Sequence, residues 1–153
     1  MSIATKTVMA GALALACGAL ASAQEKPMAM AQLPAAVQKT VQDQVAQGAT
    51  VRRLLTDQEG GQLEYEAELT VQGKHRDLSM DANGNVLEAE DAVALAEVPA
   101  AARKALSRAG KVVSVEAVSQ HGKLVAYEAV VRKANGKRSE VRVTPEGKPA
   151  PEE

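Results

Sequence analysis

One stretch of this sequence occurs twice, and the duplication limits the folds that the chain can adopt. Residues 27–39 align without gaps with residues 92–104, so that Pro34 matches Pro99 and apolar positions match apolar positions. Shorter blocks recur further on: Tyr65-Glu66-Ala67 and Tyr127-Glu128-Ala129, Gly73-Lys74 and Gly136-Lys137, and Gly84 and Gly147. Because units of about 60 residues are marginally stable alone, we expect the two repeats to share packing.

Each repeat begins with a helical pattern. Apolar residues recur every fourth position and predict one amphipathic helix per repeat, on Leu33, Val37, Val41 and Val45 and on Val98, Ala102 and Leu106. We expect the helices to end near Gly48 and Gly110. Pro34 and Pro99 are expected in the first helical turn, where a missing N–H costs nothing.

An alternating pattern follows each helix and predicts strands. In the first repeat these are residues 51–57, 62–71, 75–81 and 85–90, and in the second 112–119, 124–132 and 138–143. Asn83-Gly84 marks a hairpin, whereas Pro149 and Pro151 argue against a fourth strand in the second repeat. The predicted fold class is α+β, with tandem repeats at 24–91 and 92–148. In each repeat, one or more helices pack on one face of a three- to four-stranded antiparallel sheet. A disordered tail is expected at 149–153.

The first residues have the pattern of a secretory signal. Lys6 precedes an apolar run of about 13 residues that ends at Ala21-Ser22-Ala23, which predicts a signal peptide at 1–23 and cleavage between Ala23 and Gln24. The run is too short to stay in a bilayer as a helix, so we expect a periplasmic or secreted product without stable membrane insertion. A lipoprotein modified at Cys17 is the alternative.

Aromatic residues are almost absent, with two Tyr and neither Phe nor Trp. Nucleic-acid stacking surfaces need aromatic rings, and the net charge of −1 gives no global attraction to nucleic acid. Both rings occupy the same repeat position, and the alternation around Tyr65 and Tyr127 predicts that they point into the core. Any binding surface should therefore depend on charge.

The chain resembles the PepSY-like proteins, small periplasmic proteins likened in fold to the beta-lactamase inhibitor protein. The resemblance lies in Leu33-Pro34-Ala35-Ala36 before a helix, a strand with Tyr-Glu-Ala, a Gly-Lys turn and an Asp-x-Asn-Gly hairpin, all in tandem. It implies an α+β fold and a binding or inhibitory role without catalysis. Because the inhibitor's concave sheet surface is rich in aromatics, inhibition of a beta-lactamase is not carried over to this sequence.

Charged side chains alternate with apolar ones on the predicted strands. Residues 32–94 hold five Lys or Arg against eleven Asp or Glu, a net −6, and residues 95–149 hold eleven against five, a net +6. The residues that we expect to bind a partner lie on the open sheet faces: Glu64, Glu66, Glu68, Asp77, Glu128, Arg132, Arg138 and Arg142. Solvation alone is the simpler role for each single charge. Opposed charges also predict self-association.

Metal sites and catalysis are weakly indicated. Met28 and Met30 could bind copper, but their repeat counterparts are apolar, so packing is favoured. His75 and His121 are expected as isolated turn residues, and the calcium-like segment 81–85 has its Gly two positions too early. With no Cys beyond position 17 and no phosphate-binding Gly loop, we expect no enzyme and no cofactor.

These observations predict a non-catalytic periplasmic module that binds an unknown protein or peptide, and not nucleic acid, through its charged sheet faces. Two alternatives stay open: a sensor or carrier for calcium or copper, which a thermal shift with the metal would reveal, and a structural or stress-protective protein, which would show no partner in a pulldown.

Overall fold

The computed structural model describes residues 26–59 and 61–151. The predicted signal peptide at 1–23, its cleavage site at Ala23 and Gln24, and Cys17 lie outside the described residues.

Two helices occupy the predicted positions, α1 at Ala35–Ala46 and α2 at Ala100–Ala109. A short 3₁₀ turn precedes each helix, at Met30–Gln32 and Leu95–Glu97. Pro34 and Pro99 were expected in the first turn but each lies one residue before the helix, with extended ψ values of 144° and 143°. From there the Pro34 carbonyl accepts the first helical hydrogen bond, from the Gln38 N–H at 2.9 Å.

The strands form one sheet that runs through both repeats. Eight strands pair in chain order, all antiparallel: β1 Lys26–Pro27, β2 Ala49–Glu59, β3 Gln62–Val71, β4 Lys74–Met80, β5 Val86–Ala92, β6 Lys111–Gln120, β7 Lys123–Arg132 and β8 Arg138–Val143. The α+β class and the tandem arrangement are confirmed. The pairing of β5 with β6 joins the repeats, so their three- to four-stranded sheets are parts of a single larger one.

Both helices pack on the same kind of apolar surface. The first core cluster joins α1 to β2, β3 and β4, and the second joins α2 to β6, β7 and β8. Tyr65 packs against the first cluster and Tyr127 belongs to the second, so both rings point inward as predicted. Met28 and Met30 also pack against the first cluster, in agreement with the packing interpretation.

The hairpins that follow β4 and β8 rest on the helices. Gly84 has φ +75° and Gly147 has φ +78°, and a Cβ atom at either would lie 2.6 Å or 2.5 Å from a helix carbonyl, that of Ala36 or Ala101. In the first hairpin the Asp81 carboxylate accepts hydrogen bonds from the backbone N–H groups of Asn83 and Asn85. The segment 81–85 therefore forms a hairpin stabilised by its own acid.

The second repeat has no fourth strand among residues 138–151. Pro149 makes an isolated bridge to Val143, and the Ala150 N–H donates to the Arg142 carbonyl at 3.0 Å. The first residues of the predicted disordered tail are thus attached to the sheet edge, because the turn at Gly147 returns the chain beside β8.

Candidate functional site

The sheet face away from the helices is rich in acids. Register places Glu68 of β3 opposite Asp77 of β4, and Asp77 opposite Glu90 of β5. On the other side of the repeat junction, Glu116 of β6 lies opposite Glu128 of β7. Side chains directly opposite each other lie about 5 Å apart. Glu90 lies opposite Val118, two residues from Glu116, and the charges of Glu116 and Glu128 both act on it, so the two rows form one acidic surface.

This open face is concave. The Arg142 Nη2 of β8 donates to the Glu88 Oε2 of β5 at 2.7 Å, although β6 and β7 lie between these strands. In a flat sheet, three strand spacings would separate the two backbones by about 14 Å. The contact therefore requires the sheet to curve toward its open face.

The curvature creates a groove with a volume of about 450 Å³ and a smaller adjoining recess of about 150 Å³. The two share Glu64, Ser79 and Glu88 and are continuous. We call them together the acidic groove. Eight carboxylates line it: Asp57, Glu64, Glu66, Asp77, Glu88, Glu90, Glu128 and Glu140.

Among the described residues that line the acidic groove, Arg142 is the only Lys or Arg. Its side chain is 7% exposed, and besides Glu88 it lies 3.9 Å from the Glu128 carboxylate. Burial opposes its charge, but the hydrogen bond and attraction to Glu88 and the charge of Glu128 outweigh that and raise the pKa of Arg142. The guanidinium is therefore buried in the wall of the groove and already paired with acids. A single base against eight acidic side chains leaves the groove strongly acidic.

Glu90 occupies the centre of the acidic surface. Burial, followed by repulsion from Glu128, Glu88 and Glu116, raises its pKa to about 8. Burial also raises the pKa of Asp77, against the lowering effect of the His75 hydrogen bond, and the pKa of Glu116. Glu90 consequently keeps its proton at neutral pH, which relieves part of the repulsion among these carboxylates.

The predicted partner-binding residues fall into two groups. Glu64, Glu66, Asp77, Glu128 and Arg142 line the acidic groove. Glu68 lies on the same face beside it, with its Oε1 2.8 Å from the Arg53 guanidinium.

Arg132 and Arg138 lie at the end of β7 and the start of β8 and do not line the groove.

Charge is therefore not divided by repeat as the sums of −6 and +6 suggested. Glu116, Glu128 and Glu140 of the second repeat share the acidic face with the first repeat. The bases of the second repeat concentrate elsewhere, in part at the hairpin that joins β7 to β8.

His75 differs from its predicted position. It is the second residue of β4 rather than a turn residue, because β4 begins at Lys74, and its Nε2 lies 2.8 Å from the Asp77 Oδ2. His121 does lie in a turn, with φ +47°. Among residues 26–59 and 61–151, no group of three or more His, Cys, Asp or Glu side chains is arranged to hold a metal ion.

Sequence reasoning missed five of the open-face acids as site residues, namely Asp57, Glu88, Glu90, Glu116 and Glu140. The alternation Glu88-Ala89-Glu90 already placed two of them on one face. What the pattern lacked was the pairing of β5 with β6, which brings the acids of both repeats together.

Comparison with solved structures shows that the fold occurs in another protein. The structure is similar to the crystal structure of a protein from Bacteroides eggerthii described as "putative periplasmic", with a TM-score of 0.60 and 20% sequence identity over 76% of this chain and 85% of that one. No protein-family model and no curated protein matches the chain. The fold is thus shared with that protein, and the PepSY-like resemblance stays a prediction. Neither described helix is long and apolar enough to span a membrane.

Proposed function

We propose that this protein is a non-catalytic binding module of the periplasm that takes a cationic segment of a protein or peptide in its acidic groove. One observation carries the proposal: eight acidic side chains line the groove, of which Glu90 is protonated at neutral pH, while its one guanidinium is already bonded to Glu88. A concave surface with one sign of charge attracts and orients ligands of the other sign.

The composition of the groove also indicates how tightly it binds. Among the described residues, its lining contains Leu87 but no Phe, Tyr or Trp, and Trp and Tyr are among the residues that dominate high-affinity protein interfaces. Electrostatic attraction must therefore supply most of the binding free energy. Such binding is expected to be modest in affinity and to weaken as salt screens the charges.

Two observations support the periplasm as the place of action and the PepSY-like proteins as the family. The first residues carry the signal-peptide pattern, with Lys6 before an apolar run and Ala21-Ser22-Ala23 after it. The repeated order of helix and antiparallel strands matches what the resemblance implies, and the similar Bacteroides structure is of a protein described as periplasmic.

Binding of a labelled oligolysine peptide, followed by fluorescence anisotropy at 10 mM salt, tests the proposal. We expect saturable binding by the chain from Gln24, and a loss of affinity of about tenfold in the double variant Glu64→Gln, Glu66→Gln. Asp43→Asn is the control, since Asp43 is a half-exposed acid on α1, on the other side of the sheet. Equal affinities in the groove variant, the control and the unmodified protein would contradict the proposal.

A further inference from the structure

The turn between β7 and β8 is the most basic segment of the described chain. Arg132-Lys133-Ala134-Asn135-Gly136-Lys137-Arg138, which we call the basic hairpin, contains four bases and no acid. All of these residues are exposed. The hairpin has a fixed shape, because the Lys133 N–H donates to the Lys137 carbonyl at 2.8 Å and the Gly136 N–H donates to the Lys133 carbonyl at 2.9 Å.

Like charges face one another at the base of the basic hairpin. Register places Arg132 directly opposite Arg138 on one side and opposite Lys111 on the other. Like charges at directly opposed positions of an antiparallel pair destabilise the sheet. An acidic partner placed on this row would remove the repulsion, whereas an isolated protein has to tolerate it.

The basic hairpin and the acidic groove belong to the same face of the sheet. Arg132 shares its strand parity with Glu128, and Arg138 shares its parity with Glu140 and Arg142. One molecule therefore presents an acidic concavity and, at the end of the same face, a projecting basic hairpin. A surface of this kind is complementary to a second copy of itself.

We propose that two copies of the chain pair face to face, with the basic hairpin of each seated in the acidic groove of the other. A two-fold axis makes every such contact twice, because the same patch serves on both subunits. The pairing rests on the proposed function only in that the acidic groove binds cationic segments. It identifies the occupant as the hairpin Arg132–Arg138 of the partner copy.

Charge complementarity favours a second copy over an unrelated basic protein. The basic hairpin contains four bases and no acid, whereas the acidic groove contains eight acids and one base, Arg142, which is already bonded to Glu88. An unrelated basic ligand would satisfy the groove and leave the row of Lys111, Arg132 and Arg138 without acids opposite it.

Sedimentation velocity of the chain from Gln24 provides the first test. We expect a dimer at 10 mM salt that dissociates at 500 mM, where the screening length falls from about 30 Å to a few Å. The measurement is made at about 100 μM protein, where even a weak pair with a micromolar Kd is associated. A monomer at this concentration and 10 mM salt would overturn the inference. If oligolysine still binds the acidic groove of that monomer, the proposed function stands although the pairing fails. If oligolysine does not bind either, both fail.

A charge-swap experiment tests the pairing itself. Glu64→Lys with Glu66→Lys places two bases among the acids of the groove, and Lys133→Glu with Lys137→Glu places two acids among the bases of the hairpin. Each double variant alone should dimerise more weakly than the unmodified protein, because both of its contacts then bring like charges together. An equimolar mixture of the two should dimerise more strongly than either variant alone, because the new bases of one variant then meet the new acids of the other.

Circular dichroism spectra and melting curves show whether each variant is folded. Lys104→Glu with Lys148→Glu makes the same charge change as the hairpin variant but outside the groove and the hairpin, on α2 and after β8, and should leave the dimer intact. If the mixture of folded groove and hairpin variants dimerises no more strongly than either variant alone, the exchange of hairpins is wrong. If the hairpin double variant alone dimerises like the unmodified protein, the basic hairpin is not the occupant.

Discussion

The helices of the two repeats bury side chains at equivalent positions, but the sizes of those side chains differ. Val37 and Val41 of α1 correspond to Ala102 and Leu106 of α2, and all four side chains are fully buried. One repeat thus has two medium-sized side chains where the other has a small and a large one. Protein interiors tolerate such exchanges when the total side-chain volume is kept. On this side of the sheet, packing therefore constrains the total volume rather than each residue.

The open faces of the same repeats differ in charge. The row of β2, β3 and β4 that contains Thr50, Thr70 and His75 corresponds to Lys111, Arg132 and Arg138 of β6, β7 and β8. Solvent-exposed positions accept changes of charge at little cost in stability. The same supersecondary unit therefore forms the framework of both repeats. The two copies differ in the charged residues of their open faces.

The strongest test of the shared framework is the pair Gly84→Ala and Gly147→Ala. In both, the new Cβ would meet a helix carbonyl at 2.6 Å or 2.5 Å in a left-handed backbone conformation. We expect each substitution to lower the free energy of unfolding by about 2–4 kcal/mol, from backbone strain and steric overlap together. Urea denaturation measures the loss.

Gly136→Ala separates the two causes of that loss. Gly136 has φ +80° but nothing within 4 Å of the position of a Cβ, so only the conformational strain of about 1–2 kcal/mol should remain. Losses that differ widely between Gly84 and Gly147 would break the equivalence of the repeats at this contact.

The next largest effect should come from Glu90, on the strand that the second repeat lacks. Its pKa of about 8 in the folded protein exceeds that of the unfolded chain, so the folded state holds the extra proton between these values. The stability contributed by this group is complete at low pH and is lost as pH rises from about 4.5 to about 8. Glu90→Gln should therefore raise the free energy of unfolding at pH 9 by about 2–3 kcal/mol, and change it little at pH 4.

Denaturation curves for Glu90→Gln at several pH values measure this difference. Glu146→Gln is the control, because the Thr144 hydroxyl lowers the pKa of the exposed Glu146, and its removal should give no gain at pH 9. A constant difference between Glu90→Gln and the unmodified protein from pH 4 to pH 9 would show that Glu90 does not titrate in this range.

Local patterns in the sequence predicted most of the elements. Apolar spacing located α1 and α2, and alternation predicted the observed bounds of β3 and β8. The other predicted strand bounds lie within two residues of the observed ones. These features depend on neighbours in sequence, which is why periodicity and turn residues were sufficient. The two-residue strand β1 is too short to show any period.

The acidic groove depends on contacts that no local pattern contains. It requires the pairing of β5 with β6, which decides that the acids of both repeats share one surface. It also requires enough curvature for Arg142 to reach Glu88, 54 residues away in sequence. Alternation therefore predicted which face each acid occupies. The depth of the groove and the hydrogen bond between Arg142 and Glu88 could be seen only in the folded sheet.

A smaller difference between the repeats lies where the hairpins touch the helices. The Thr40 hydroxyl donates to the Gly84 carbonyl at 2.8 Å, but the corresponding residue of α2 is Ala105, which has no donor. Thr40→Ala should lower the free energy of unfolding by about 0.5–1 kcal/mol, since the lost hydrogen bond outweighs the better helix propensity of Ala. Thr40→Ser keeps the hydroxyl and is the matched control. Equal losses in the two variants would assign the effect to the methyl group.

The smallest expected difference concerns charge on the exposed helix surfaces. Lys39 and Asp43 form a salt bridge of 2.6 Å between positions i and i+4 of α1, whereas the corresponding residues of α2 are the like-charged Lys104 and Arg108. Lys104→Glu places an acid four residues before Arg108 and should therefore raise the free energy of unfolding by about 0.3–0.5 kcal/mol at low salt. The gain should disappear at 500 mM salt, because screening removes both the repulsion and the new attraction. Lys104→Gln removes the repulsion alone, so a gain as large as that of Lys104→Glu would mean that the new ion pair contributes nothing. A loss of stability in both variants at low salt would mean that Lys104 has a stabilising contact, and that the two helix surfaces do not differ as their charges indicate.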